Sequence, residues 1–357
     1  MSVVRKALVM LTFATAGALR AARGAVPAAR RGARGALSLS RRRPGATSSR
    51  LFSAPATAPS EFDLKSLSAQ QILDLKAHSS HRARDAEIWA LLRGEAEALD
   101  HSALLGPAVR QQILDSETLI DAISEMISCR LSRATTGIML PRGELKAACQ
   151  RALKDDPRPG ADMLAIMERD PAAISLIQTV MFFKGFHAVQ AQRVAAKFWS
   201  KGSMSSKHVA LAIQNRVSEL WSVDIHPNAY LGGGMLMDHA TGIVIGETAV
   251  IGNDCTILHS VTLGGTGKER GDRHPKVGNR VTLGAGATVL GNIVIGDDST
   301  VGSQAVVTKD VPVGMTVVGL NKLLDPNITP QRRGEVAKRT ETWQYEVSGD
   351  GGGAYSI

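Results

Sequence analysis

The feature that most limits what this chain can become is a six-residue period running from about residue 225 to residue 314. An aliphatic residue or Met falls at Ile225, Leu231 and Met237, then after a two-residue slip at Ile245, Ile251, Ile257 and Leu263. After a break it resumes at Val277, Leu283, Val289, Ile295, Val301, Val307 and Val313, and Gly very often follows, as in Leu231-Gly232, Ile245-Gly246 and Leu283-Gly284. Neither a heptad nor a 3.6-residue helix has this spacing. A chain that turns a corner every six residues does: one aliphatic side chain per segment points inward and stacks on its equivalents in adjacent coils, while Gly permits the tight corner. A parallel β-helix of triangular section is expected over residues 219–320.

The single break, Gly265 to Lys276, is polar, Gly-rich and out of period, so it must bulge from the solenoid as a loop. A long excursion from a regular scaffold that carries Arg273-His274 beside Pro275 is a candidate functional segment. Upstream, residues 86–218 show helical patterning, clearest at Ile88-Trp89-Ala90-Leu91-Leu92, at Leu119-Ile120 with Ile123, Met126 and Ile127, and from Phe182 through Trp199. Residues 53–85 read as a linker with one helix at Ser68 to Ala77. After Val317 the period dies, and residues 321–357, with Pro326, Pro330 and Gly351 to Gly353, read as a flexible C-terminal tail. The fold class is thus α+β, an N-terminal α-helical domain followed by a β-helix.

A formal charge of +9 would point to nucleic acid or an anionic surface if it were spread over the body. It is not: residues 1–60 hold eleven Lys or Arg and no acid before Glu61, which leaves the rest of the chain at −2. Residues 1–52, rich in Arg, Ala and Ser and followed by Ser53-Ala54, read as an organellar presequence. The Arg50-Leu51-Phe52-Ser53 order resembles a mitochondrial processing site, so a mitochondrial destination is expected, with the plastid as the alternative suggested by the apolar run Ala7 to Leu19. That run is too short to span a bilayer. A soluble protein with no nucleic-acid or membrane partner is expected. Cys129, Cys149 and Cys255 have no paired spacing, which argues against a disulfide scaffold or a cysteine-based metal site, and Cys255 within the repeats reads as a small buried side chain.

Among the solenoid residues, Asp224 and His239 stand fifteen apart, and the slip between coils can bring the carboxylate beside the imidazole. A carboxylate that accepts from one ring nitrogen leaves the other free to take a proton from an attacking hydroxyl, the chemistry that acyl transfer to an alcohol requires. Asp238 directly precedes His239 and, on an alternating backbone, is expected to point elsewhere. Arg273 and His274 are donors suited to a substrate carboxylate. His187, His208, His226 and His259 read as packing or surface residues.

The stretches Val223-Asp224-Ile225-His226-Pro227, Met237-Asp238-His239-Ala240-Thr241-Gly242 through Ala249, Ser260-Val261-Thr262-Leu263-Gly264-Gly265-Thr266-Gly267-Lys268 and Gly271-Asp272-Arg273-His274-Pro275-Lys276 resemble the signature of serine acetyltransferases of bacteria and plants. The likeness extends back through Lys184-Gly185-Phe186-His187-Ala188 and Arg169-Asp170-Pro171-Ala172 and covers about two-thirds of the chain. It implies a left-handed coil, assembly as trimers or dimers of trimers, and substrates that meet between neighbouring subunits. Acetyl-CoA is implied as co-substrate and L-serine as acceptor, with no permanently bound cofactor and no metal. His239 matches the general base and Asp224 its orienting carboxylate. Asp170 and Asp238 match the acids that hold the serine ammonium, and Arg273 and His274 the groups that hold its carboxylate. The CoA arm is expected to approach the small residues Gly265, Gly284, Ala285 and Ser303. The terminal Ile357 resembles the residue that this family inserts into O-acetylserine (thiol) lyase. At the last coil the likeness fails, because Gly319-Leu320-Asn321-Lys322-Leu323 replaces the family's usual turn.

Two readings of other classes share parts of this pattern. A γ-type carbonic anhydrase would gather His226, His239, His259 or His274 on a zinc ion, which needs three nitrogens converging at ~2.0 Å. A non-catalytic scaffold for the lyase would have no need of Asp224 or His239.

Overall fold

The computed structural model describes residues 67–78, 80–133, 137–268 and 270–324. The expected presequence, the linker up to residue 66 and the tail from residue 325 onward, Ile357 included, lie outside the described residues.

The helical region runs through α1 (Ala69–Lys76), α2 (His81–Leu99), α3 (Gly106–Val109), a π-turn at Arg110–Leu114, α4 (Leu119–Leu131), α5 (Arg142–Leu153), α6 (Arg158–Arg169), α7 (Leu176–Phe182), α8 (Lys184–Trp199) and α9 (Met204–Trp221). Side chains of Ser68, Ser80, Thr118, Ser175 and Ser203 accept hydrogen bonds from backbone N–H groups of the first turns of α1, α2, α4, α7 and α9, which fixes where those helices begin. Because Ser80 caps it, α2 starts five residues before the expected Ala86, so α1 and the start of α2 both fall within the stretch read as a linker.

The solenoid makes about five coils, the first four with three short strands each. The first coil holds β1 (Val223–Ile225), β2 (Tyr230–Leu231) and β3 (Leu236–Met237), and the second β4 (Ile243–Ile245), β5 (Val250–Ile251) and β6 (Thr256–Ile257). The third holds β7 (Thr262–Gly264), β8 (Lys276–Val277) and β9 (Thr282–Leu283), and the fourth β10 (Thr288–Leu290), β11 (Val294–Ile295) and β12 (Thr300–Val301). The fifth has β13 (Val306–Val307), β14 (Thr316–Val318) and β15 (Lys322–Leu324). Parallel pairing stacks β1-β4-β7-β10-β13 into face A, β2-β5-β8-β11 into face B and β3-β6-β9-β12-β14 into face C, with β15 added antiparallel to β14. The coil matches a left-handed β-helix of hexapeptide repeats.

The inward residues are the periodic ones, Ile225 through Val307, all buried in one continuous core with the helices. The last position departs from the expected register. Val313 is 67% exposed, whereas Val311 and Val317 are buried, because the fifth coil shortens and Val311 pairs with Ile295 in a parallel bridge. The chain also continues into β15 where the sequence suggested that the tail begins.

Helices and first coil are locked by a buried ion pair. Asp162 of α6 and Arg193 of α8, both 1% exposed, pair with each other. Asp162 Oδ1 also accepts from the Met235 N–H at 2.8 Å, and Arg193 Nη2 donates to the Gly232 carbonyl at 2.7 Å. Both charges thus bond to backbone at the corner that leads into β3, while Arg193 Nε is buried without a partner. Gln192 adds a bond to the Ala229 carbonyl at 2.8 Å. At the start of α8 only glycine fits, since a Cβ on Gly185 would stand 1.9 Å from the Met237 carbonyl oxygen. This packing sets the position of Asp238 and His239.

Candidate active site

The C/A edge, where face C turns into face A, carries His239. The strand alternation ends there, because His239 and Ala240 both adopt left-handed φ values of 52° and 55°. This corrects the expectation for Asp238: alternation does not extend across the turn, so its Oδ1 lies 3.7 Å from His239 Nε2. That contact is an electrostatic neighbour and too long for a hydrogen bond. Asp170, which ends α6 and accepts the Ala172 N–H at 2.8 Å, joins Asp238 and His239 in one cavity of about 510 Å³. Phe182, Phe183, Lys184 and Met237 line the rest of it. His239 itself is 76% exposed, with the His259 ring 6.2 Å away on the next coil of the same edge. Ala285 and Ser303 follow on later coils of this edge, linked by the Gln304 N–H to the Ala285 carbonyl. Gly284 has its own packing reason to be glycine, since a Cβ there would meet the Ser303 nitrogen at 2.5 Å.

The A/B edge carries the second group. The excursion after β7 returns at Arg273-His274, and Thr248 fastens it: its Oγ1 accepts from the Arg273 N–H at 3.0 Å and the His274 N–H at 3.1 Å. Arg273 Nη2 donates to Glu247 Oε2 at 2.8 Å, and that bond holds the Glu247 carboxyl below its usual range. His274 Nδ1 accepts the Thr248 N–H at 3.1 Å, so the neutral ring carries its proton on Nε2 as a donor. Burial, and then the charge of Arg273, push the His274 pKa down and favour this neutral form. His226 sits at the same edge, half-buried against Trp199 at 4.7 Å, and burial lowers its pKa too, against the charges of Glu247 and Asp224. Gly265 opens the excursion beside the Arg273 carbonyl.

Asp224 lies on face A in register with Val244, and its Oδ1 accepts from Gln214 Nε2 of α9 at 2.6 Å. Within one chain it makes no ion pair with His239 among the described residues; the carboxylate within 4.0 Å of that imidazole is Asp238. The structure therefore joins Asp170, Asp238 and His239 at one edge and Arg273 with His274 at another. Glu247, Thr248 and Gln214, which support these residues, went unremarked in the sequence, where only the Gly246-Glu247-Thr248 run within the motif hinted at them. The four histidines of the zinc reading divide between the two edges, and among the described residues no cluster of three His, Cys, Asp or Glu is disposed to hold a metal ion.

A hexapeptide solenoid with a histidine and carboxylates in a cavity along its edge defines an acyltransferase of the hexapeptide class. A family described as bacterial transferase hexapeptide (six repeats) matches residues 274–309, and one described as serine acetyltransferase, N-terminal, matches residues 88–191. Mitochondrial serine acetyltransferase 3 of Arabidopsis thaliana is 45% identical over 244 residues, 66% of this chain and 61% of the relative. Chloroplastic serine acetyltransferase 1 of the same plant is 44% identical over 68% of this chain and 76% of the relative. Among solved structures, soybean serine acetyltransferase complexed with serine is 41% identical, with a TM-score of 0.64 over 69% of this chain and 100% of that one. The Brucella abortus serine acetyltransferase in complex with coenzyme A is 38% identical, with a TM-score of 0.64 over 69% and 98% of the two chains. The chain belongs to the serine acetyltransferase family.

Proposed function

We propose that this chain is a serine O-acetyltransferase, which converts acetyl-CoA and L-serine to O-acetyl-L-serine and CoA at the start of cysteine biosynthesis from serine. The observation that carries the reading is the cavity that gathers Asp170 and Asp238 around His239. Two carboxylates suit the ammonium of an amino acid, and the imidazole beside them suits its hydroxyl. His239 takes the hydroxyl proton as the serine oxygen attacks the thioester carbonyl. The C–S bond then breaks, and the imidazolium returns the proton to the departing CoA sulfur.

One chain holds only half of this site. Arg273 and the His274 Nε2–H, the donors for the serine carboxylate, stand at the other edge, and the charge of Asp224 bears on His226 there. A closed ring of copies brings the A/B edge of one chain to the C/A edge of the next, so a homotrimer, alone or paired, completes the site and lets Asp224 reach His239 from the neighbouring subunit. The CoA arm follows the small residues Gly284, Ala285 and Ser303 along the C/A edge, with Gly265 contributed from across the boundary. Destination to the mitochondrion is supported by the similar mitochondrial relative, and the chloroplastic one keeps the plastid as the alternative. The lyase that consumes O-acetylserine is the proposed partner of Ile357.

The test is CoA release from acetyl-CoA by the full chain with and without L-serine. Serine-dependent release is expected, and His239→Ala is expected to lower it by ~10²–10⁴ while the protein still folds and assembles. Folded wild-type protein that releases no CoA on adding serine would sink the reading.

A further inference from the structure

The imidazole of His239 is 76% exposed and makes no hydrogen bond among the described residues beyond the long approach to Asp238, so its direction is set by the backbone that carries it. That backbone is costly. Two consecutive non-glycine residues in the left-handed region are strained and persist only where their surroundings over-determine them. The turn's own bonds are short and local: Ala240 N–H to the Asp238 carbonyl and Thr241 N–H to the His239 carbonyl, both 2.6 Å. The neighbouring coils add the Gly242 N–H on the Ser222 carbonyl and the Ser260 N–H on the Thr241 carbonyl.

One side-chain chain of contacts reaches this turn from the helical region. Lys184, the first residue of α8, donates from Nζ to Thr241 Oγ1, and that hydroxyl donates in turn to the His239 carbonyl at 3.3 Å. Lys184 is itself fixed, because the next residue, Gly185, is pressed against the Met237 carbonyl. Lys184 also lines the cavity that holds Asp170, Asp238 and His239. We propose that Lys184 and Thr241 form a positioning relay that holds the left-handed His239–Ala240 turn, and through it the base, in its working direction. The inference rests on His239 being the base. Lys184 is a positioning residue here, since its ammonium is engaged by the Thr241 hydroxyl and acts on the base through it.

The relay makes a prediction that simple structural support or a substrate contact does not. Thr241→Val keeps shape and loses the hydroxyl, Thr241→Ser keeps the hydroxyl, and Lys184→Met keeps the aliphatic stem. With the assembled full chain, Thr241→Val and Lys184→Met are expected to lower kcat by about 10- to 100-fold, the loss that follows a misplaced catalytic group, with KM for serine changed less than about 3-fold. Thr241→Ser is expected to stay near wild-type kcat, and the double variant to be no worse than Thr241→Val alone, because both changes cut one relay. Melting and gel filtration identify any variant that fails to fold, in which case Lys184→Met with and without Thr241→Ser carries the same comparison. Wild-type kcat in Thr241→Val, additive losses in the double variant, or a loss confined to serine KM would each overturn the relay. A wild-type chain without serine-dependent CoA release would instead overturn the functional reading beneath it.

Discussion

At the scale of single residues, the site depends on where side chains are absent as much as on where they stand. Gly246 has no left-handed backbone to explain it; what it provides is room, because a Cβ there would lie 2.0 Å from His274 Nε2. Gly246→Ala is therefore expected to push the imidazole off its place while the core residue Ile245 and the coil remain. If His274 donates to the serine carboxylate, losing that charge-assisted bond is worth about 1.5–3 kcal/mol, or roughly 10- to 150-fold in KM for serine, with a smaller effect on kcat. Steady-state kinetics on the folded variant check this, and an unchanged KM would separate His274 from serine binding. The candidate site residues could be named from the sequence, yet their spatial relations could not. Asp238 was expected to face away because alternation was carried across a turn where the backbone enters the left-handed region. Glu247 and Thr248 escaped notice because each acts on a residue some 26 positions later, and only the register between coils brings them together.

At the scale of elements, periodicity located the coils because each repeat buries the same position, and it failed at Val313, where the fifth coil shortens and the buried role passes to Val311 and Val317. Helix starts were less legible, since they are decided by single capping hydroxyls such as Ser80. Helix α8 carries a property that the sequence left open. His187 donates from Nε2 to the Val180 carbonyl at 2.8 Å, packs 5.5 Å from the Trp221 ring, and has its Nδ1 buried without a partner. Burial, and then the charge of Arg130, push its pKa down to about 3. An unfolded histidine titrates near ~6.5, so below that pH the unfolded chain takes up a proton that the folded helix refuses. The stabilising effect is complete above ~6.5 and is lost progressively as pH falls towards 3, reaching about 2 kcal/mol at pH ~5. His187→Gln keeps a donor for Val180 and does not titrate. Urea unfolding at fixed protein concentration, compared between pH ~7.5 and ~5, is expected to show the wild type losing about 2 kcal/mol more than the variant. Equal losses would mean that α8 accepts a charged imidazole.

At the scale of the whole molecule, the division of the site between two edges carries a consequence that no single-chain variant can test. If each site takes Asp170, Asp238 and His239 from one copy and Asp224, Arg273 and His274 from the next, then inactivating one edge leaves the other edge of the same chain intact. His239→Ala and Arg273→Ala chains, each nearly inactive alone, should restore activity when they assemble together. A trimer that holds both chains, in either ratio, joins an intact C/A edge to an intact A/B edge at one of its three boundaries, so about a third of the wild-type rate is expected of doubly tagged trimers. Asp224 decides how the edges are shared. Its carboxylate is turned to Gln214 within its own chain, and its charge bears on His226 at the A/B edge, so Asp224→Asn should complement His239→Ala and should not complement Arg273→Ala. The reverse pattern would place Asp224 in the same half-site as His239 and require its side chain to leave Gln214 when substrate binds. Co-expression of differently tagged chains, purification of the doubly tagged assemblies and measurement of serine-dependent CoA release distinguish the two arrangements. Mixed assemblies without activity above the separate variants would return the whole site to a single chain, which the separation of its residues between two edges of the prism argues against.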